Sequence, residues 1–151
     1  MSERLQIEEE AVSKFNSQYG TDARKVKGLP VGNANAKHEF DLYEPGKVIG
    51  GVTTSPWTNK TGSTNTGGQD RAATELLWLS LWEGEERRIL IVTDPDMARR
   101  LLERFAGCPF PKPIEILQYN SHKNQLVEVG RLLHAFEKGS SLPLKRESST
   151  F

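Results

Sequence analysis

The apolar residues Leu5, Ile7, Ala11, Val12, Phe15 and Tyr19 recur at mixed three- and four-residue spacings, the period of one helix face. Ser2 stands where an N-cap is needed, and Gly20 where a helix stops. From Thr21 to Lys37 basic residues mix with Gly28, Pro30, Gly32 and two asparagines, which predicts a connecting stretch holding at most a short strand or helix. Phe40 and Leu42 alternate with Glu39, Asp41 and Tyr43. That period of two argues a strand with one apolar face, and Lys47 to Thr54 follows as its hairpin partner. Ser55 to Gln69 is dominated by Gly, Ser, Thr and Asn, a loop too long to be a simple connection. Ala72, Ala73, Leu76, Leu77, Leu79 and Leu81 then predict a helix buried on more than one side, ending at Gly84.

The run "RRILIVTD" reads as a central strand covered on both faces. "PDMARRLLERFAG" is a helix with Asp94 as N-cap, Pro95 in the first turn and Gly107 as the stop. "IEILQY" is another strand. Ser121 to Lys138, apolar at Leu126, Val129, Leu132, Leu133 and Phe136, is expected to be a last helix. The order is therefore helix, hairpin, helix, strand, helix, strand, helix. It predicts an α/β fold in which a mixed sheet, an antiparallel hairpin plus parallel strands, is flanked by helices. One domain over residues 1–138 is expected, with 139–151, "GSSLPLKRESSTF", as a flexible tail.

Composition narrows the function classes. A chain of 151 residues with 36% apolar content suits a single domain. Lys plus Arg and Asp plus Glu each number 20, so any nucleic-acid binding must come from a local patch. Cys108 stands alone, which excludes an internal disulfide framework and a multi-cysteine zinc site. No apolar run approaches the roughly 18 residues needed to span a bilayer, so the expectation is a cytoplasmic protein with no membrane partner.

The stretch "HEFDLYEPGKVIGGVTTSPW", His38 to Trp57, carries the candidate chemistry. It sets Asp41 on one strand and Gly50 and Gly51 on the next, where glycine weakens a strand. A three-residue loop of Pro45, Gly46 and Lys47 would put Asp41 opposite Gly51 and Glu39 opposite Thr53, on the side of Tyr43; a two-residue loop would put Gly50 opposite Asp41. His38, three residues from Asp41, is expected to point to the other face.

A helix, a strand pair with Asp on its first strand, a helix and a buried strand resemble the PD-(D/E)XK nuclease superfamily, the restriction-endonuclease-like fold, over about Glu3 to Tyr119. In that family the Asp is followed across a hairpin by an acid, any residue and a lysine. The resemblance places the Asp at Asp41, the acid position at Gly51 and the lysine position at Thr53, so the acid and the lysine are both missing. Such chemistry needs a divalent cation held by two carboxylates to polarise the phosphate and activate water. With one carboxylate, Mg²⁺ would be held weakly, and each lost contact costs about 10² to 10³ in rate.

The resemblance also implies where relocated groups would lie. Some relatives place an extra metal-binding Glu in the first helix, and Glu10 is the candidate here, beside Glu8 and Glu9. Gln69, Asp70 and Glu75 open the next helix, where a polar residue can assist the metal. Lys60 is placed to reach back from the loop. For nucleic acid, Lys25 and Lys27 with Arg24, then Lys37, Trp57 and Lys60, form a candidate cradle of charge with a stacking surface. Trp78 and Trp82, four apart on one helix, are expected in the core or at a homodimer surface. Three functions follow: a nuclease-fold protein that has lost its chemistry and binds DNA or RNA or serves assembly; an active Mg²⁺-dependent endonuclease with relocated ligands; or an oligomeric scaffold unrelated to nucleic acids.

Overall fold

The computed structural model describes residues 2–32 and 35–133. Its elements, in chain order, are α1 (Glu3–Tyr19), β1 (Arg24–Pro30), β2 (Lys37–Glu44), β3 (Val48–Thr53), α2 (Thr66–Leu81), β4 (Arg87–Val92), α3 (Pro95–Phe105), β5 (Ile114–Asn120) and β6 (Gln125–Leu132). The six strands form one mixed sheet in sequence order. The β3–β4 and β4–β5 pairs are parallel and the other three are antiparallel. The α/β fold with a mixed sheet between helices is as the element pattern requires.

The two faces of β4 explain the layers. Leu90 and Val92 pack with α2 and α3 on one face, while Ile89 and Ile91 pack with Ala11 and Phe15 of α1 on the other. All four strand residues are fully buried, so a continuous apolar run serves two cores at once. Helix ends follow their local chemistry. Ser2 Oγ accepts from Leu5 N, and Gly20 ends α1 in the left-handed region at φ 67°. Asp94 caps α3 with Pro95 in its first turn.

Four expectations need correction. The Thr21 to Lys37 stretch carries a full edge strand, β1, hidden in the sequence because most of its residues are exposed. The helix expected over Ser121 to Lys138 is instead a turn followed by β6; its residues 134–138, the tail 139–151 and His134 lie outside the described residues. A bulge explains the misreading. Ile116 pairs with Gly130 but Leu117 with Glu128, so Val129 is the extra residue. Alternation resets there, sending Leu126 to the α1 face and Leu132 to the α2–α3 face, which in sequence imitates a helical period. Third, α2 is buried on one side only, for Leu77 and Leu81 are exposed. It also begins earlier than its apolar residues suggest, with Asn65 as cap and Gly67 and Gly68 in its first turn.

The fourth lies in β2. Between Tyr43 and Phe40 this strand advances three residues while β1 advances two, from Arg24 to Val26. Phe40 and Tyr43 thus share the α2 face and Leu42 turns to α1. Strict alternation fails at Asp41, inside the bulge. No described helix is long and apolar enough to cross a membrane.

Candidate functional site

The hairpin between β2 and β3 has the three-residue loop. Glu44 pairs with Val48, Tyr43 with Ile49 and Leu42 with Gly50, and the next step in that register sets Asp41 against Gly51. There the ladder ends. Asp41 Oδ2 accepts from Val52 N at 2.7 Å, so a side chain takes the donor a strand carbonyl would have bonded. Bulges re-aim side chains in this way, and Asp41 lines the cavities on both sides, one toward α2 and one along α1.

The cavity toward α2 is about 310 Å³ and is lined by Arg4, Glu8, Asp41, Val52, Thr53, Thr54, Ser55, Asp70, Arg71, Thr74 and Glu75. Its floor is the end of β3. Above Gly51 the space is taken: Glu75 Oε1 stands 2.5 Å, and Asp41 Oδ2 3.6 Å, from the point where a Gly51 Cβ would lie. A carboxylate from α2 therefore occupies the space over Gly51. On its other side Glu75 Oε2 is 3.0 Å from His38 Nε2, and the imidazole stacks on Trp78 at 4.7 Å. Glu75 Oε1, on the Gly51 side, is buried without a hydrogen-bond partner.

Burial raises the Asp41 carboxyl above its ordinary range, against the pull of the Val52 N–H and Lys25, with Glu39 adding to the rise. Glu75 is raised by burial too, opposed by His38 and reinforced by Asp41 and Glu39. Glu8 is raised by burial and then by Asp41, while Lys25 and Arg4 lower it. Four carboxylates (Glu8, Asp41, Asp70, Glu75) against two guanidiniums (Arg4, Arg71) line the cavity, so it is short of positive charge. Lys25 supplies part of the difference from β1, with Nζ 3.9 Å from Glu8 and 3.8 Å from Glu39.

The residues expected at the site divide. Asp41, Gly51 and Thr53 stand together at the strand ends, with Thr53 buried. Glu10 is replaced by Glu8, for a reason of helix phase. Glu8 precedes the buried Ala11 and Phe15 by three and seven residues and shares their ridge, whereas Glu10 faces a different cavity with Tyr119 and Asn124. Gln69 is buried but tethers the loop, donating to Trp57 O at 2.9 Å. Trp57 donates its backbone N–H to Asp94 Oδ2, and its partly buried ring lies under Arg100 and Arg104 of α3. Lys27, Lys37 and Lys60 are exposed and do not line the cavity. Trp78 and Trp82 pack on β2, with Trp82 against Phe40 and Tyr43. His38 is on the α2 face, and its approach to Glu75 had no signal in sequence because the bulge resets the strand's phase.

Two features outside the expectation shape the site. Gly68 sits so close to Ser55 and Asn65 that a Cβ would collide with both, which lets the first turn of α2 settle on the end of β3. At the other end the buried Arg88 guanidinium donates to the carbonyls of Leu79, Trp82, Gly84 and Glu86, closing the C-terminus of α2. Comparison with known protein families, curated proteins and solved structures finds no match.

Proposed function

We propose that this cavity is a phosphodiester site of the restriction-endonuclease-like kind, assisted by a divalent cation, in which α2 supplies the acid that β3 lacks. One observation carries the reading: the Glu75 carboxylate lies over Gly51 beside Asp41. Among the described residues no group of three or more His, Cys, Asp or Glu side chains is placed to hold a metal ion. The cation in this reading would have two protein carboxylates, with water and substrate oxygens completing its shell, as Mg²⁺ is held in phosphoryl sites. Asp41 and Glu75 are the hard oxygen ligands for it, and Glu75 Oε1 has no competing hydrogen bond. When bound, such an ion supplies polarisation of the phosphate and a lowered pKa for water. The chain's own contribution is to hold both acids partly buried, with His38 3.0 Å from Glu75 on its other side and the Val52 N–H fixing Asp41. Substrate is DNA or RNA, met in the reducing cytosol that the lone cysteine suits.

A second reading, binding without cleavage, is favoured by Thr53 at the lysine position and by Lys25 being engaged with Glu8 and Glu39. Calorimetric titration with Mn²⁺ and Mg²⁺, beside a cleavage assay on labelled single- and double-stranded DNA and RNA, separates the two. Cation binding and cleavage lost together in Asp41→Asn and Glu75→Gln support the first. Nucleic-acid binding with neither supports the second, and cleavage undiminished in both variants rejects the proposed site.

A further inference from the structure

Among the described residues the arginines are spoken for, with one exception at the cavity. Arg4, Arg24, Arg87, Arg99, Arg100 and Arg131 each stand within 4 Å of a carboxylate. Arg88 is buried among carbonyls, and Arg104 lies over Trp57. Arg71 has neither an acid nor a ring as partner among the described residues. It lines the cavity, and its guanidinium is steered by one neutral group, with Nη2 donating to Ser55 Oγ at 3.3 Å. That contact is built in, since Gly68 is what allows α2 to approach Ser55. An arginine held in place by a hydroxyl keeps most of its five donors for an incoming group, and its planar fork matches two phosphate oxygens.

We infer that Arg71 is the anion seat of the cavity, taking the non-bridging oxygens of a nucleic-acid phosphate and positioning that phosphate beside Asp41 and Glu75. The inference rests on reading the cavity as a phosphodiester site, but it concerns binding alone. Around the seat the cavity wall offers hydroxyls and no aromatic ring: Thr53, Thr54, Ser55 and Thr74. Such a lining contacts the sugar–phosphate backbone and leaves the bases unread, so sequence preference should be slight. Arg4 lines the same cavity but is 3.7 Å from Glu8 and serves that acid first.

The test is fluorescence anisotropy with labelled oligonucleotides of two unrelated sequences, single-stranded and duplex, in Ca²⁺ and again in EDTA. Arg71→Ala is expected to weaken binding about tenfold on both sequences and to lower the salt slope by about one. Arg71→Lys should recover part of the loss, because it restores the charge without the fork. Arg71 is exposed, and an unchanged melting temperature confirms that the variant is folded. Unchanged affinity in Arg71→Ala overturns the inference, as does an unaltered protein that binds neither oligonucleotide nor inorganic phosphate in either condition. The outcome stands apart from catalysis. Loss of binding in Arg71→Ala with Mn²⁺ affinity intact supports the seat even where no strand is cut, while a failed seat leaves the two-carboxylate cation site to its own titration.

Discussion

Glu75 Oε1 stands 2.5 Å from the point at which a side chain on Gly51 would begin. The two glycines of β3 consequently differ in kind, although they are neighbours. A Cβ on Gly50 would run into the backbone carbonyl of Ile89, which cannot move without breaking the β3–β4 ladder. A Cβ on Gly51 meets only the end of a flexible side chain.

Gly50→Ala should therefore destabilise the fold by about 1–3 kcal/mol or more, the range for overpacking a filled core. Gly51→Ala should stay within about 1 kcal/mol of the parent, by the same argument, while displacing the Glu75 carboxylate and lowering Mn²⁺ affinity at least about tenfold, the loss expected of a disturbed ligand shell. Denaturant unfolding beside calorimetry reads both. Moving the acid back to the strand is the complementary trial: Gly51→Glu with Glu75→Ala should bind Mn²⁺ where Glu75→Ala alone does not.

A pH dependence follows from Asp41. Its pKa is raised in the folded protein, chiefly by burial. The native state thus holds a proton that the unfolded chain has released, and the stability from that proton is lost as pH rises through the folded pKa. Asp41→Asn keeps an oxygen to accept from Val52 N and removes the buried charge. Its melting temperature in EDTA should exceed that of the parent at pH 7, with the advantage fading below about pH 4, where the carboxyl is protonated in both states. Added Mn²⁺ should reverse the order at pH 7, because a bound cation stabilises only the parent.

Arg88 is expected to matter more than any surface ion pair. Arg88→Ala leaves four carbonyls around Leu79 to Glu86 without their donor and should cost about 3–5 kcal/mol, the scale for removing one buried charged partner. Arg88→Lys should recover less than half, since one ammonium cannot span that arc. Urea unfolding of the three proteins decides it.

Asp94 Oδ2 accepts from both Met97 N and Trp57 N, joining the α3 cap to the long loop. Asp94→Ala should cost about 1 kcal/mol for the cap and speed hydrogen exchange at the Trp57 amide. Asp94→Asn should keep most of both. Equal exchange at Trp57 in all three would show that the loop is held elsewhere.

Much of the architecture was legible because it rests on local chemistry: the caps of α1 and α3, the double-faced run of β4, the turn at Pro45 to Lys47. The misreadings of β2 and β6 share one physical origin. A bulge leaves no mark in composition, yet it shifts the phase of every residue beyond it, turning β6 into an apparent helix and sending His38 to the wrong face. The site was half legible for a related reason. Asp41, Gly51 and Thr53 come together in one of the two hairpin registers the sequence allows, and the structure adopts that one, whereas choosing Glu8 over Glu10 required the rotation of α1 about its axis, which its mixed apolar spacing leaves loose. Glu75 was within view as a helix-borne acid, but its reach over Gly51 depends on how far α2 slides along the sheet.

That sliding is set at both ends of α2. Asp41 belongs to the sheet and is fixed with it, whereas Arg71 and Glu75 stand one turn apart on the helix and travel together. The cavity thus has one wall built on the sheet and one carried by the helix. Gly68 is the stop at one end and Arg88 the stop at the other. The width of the gap can be altered by substitutions at those stops, neither of which lines the cavity itself.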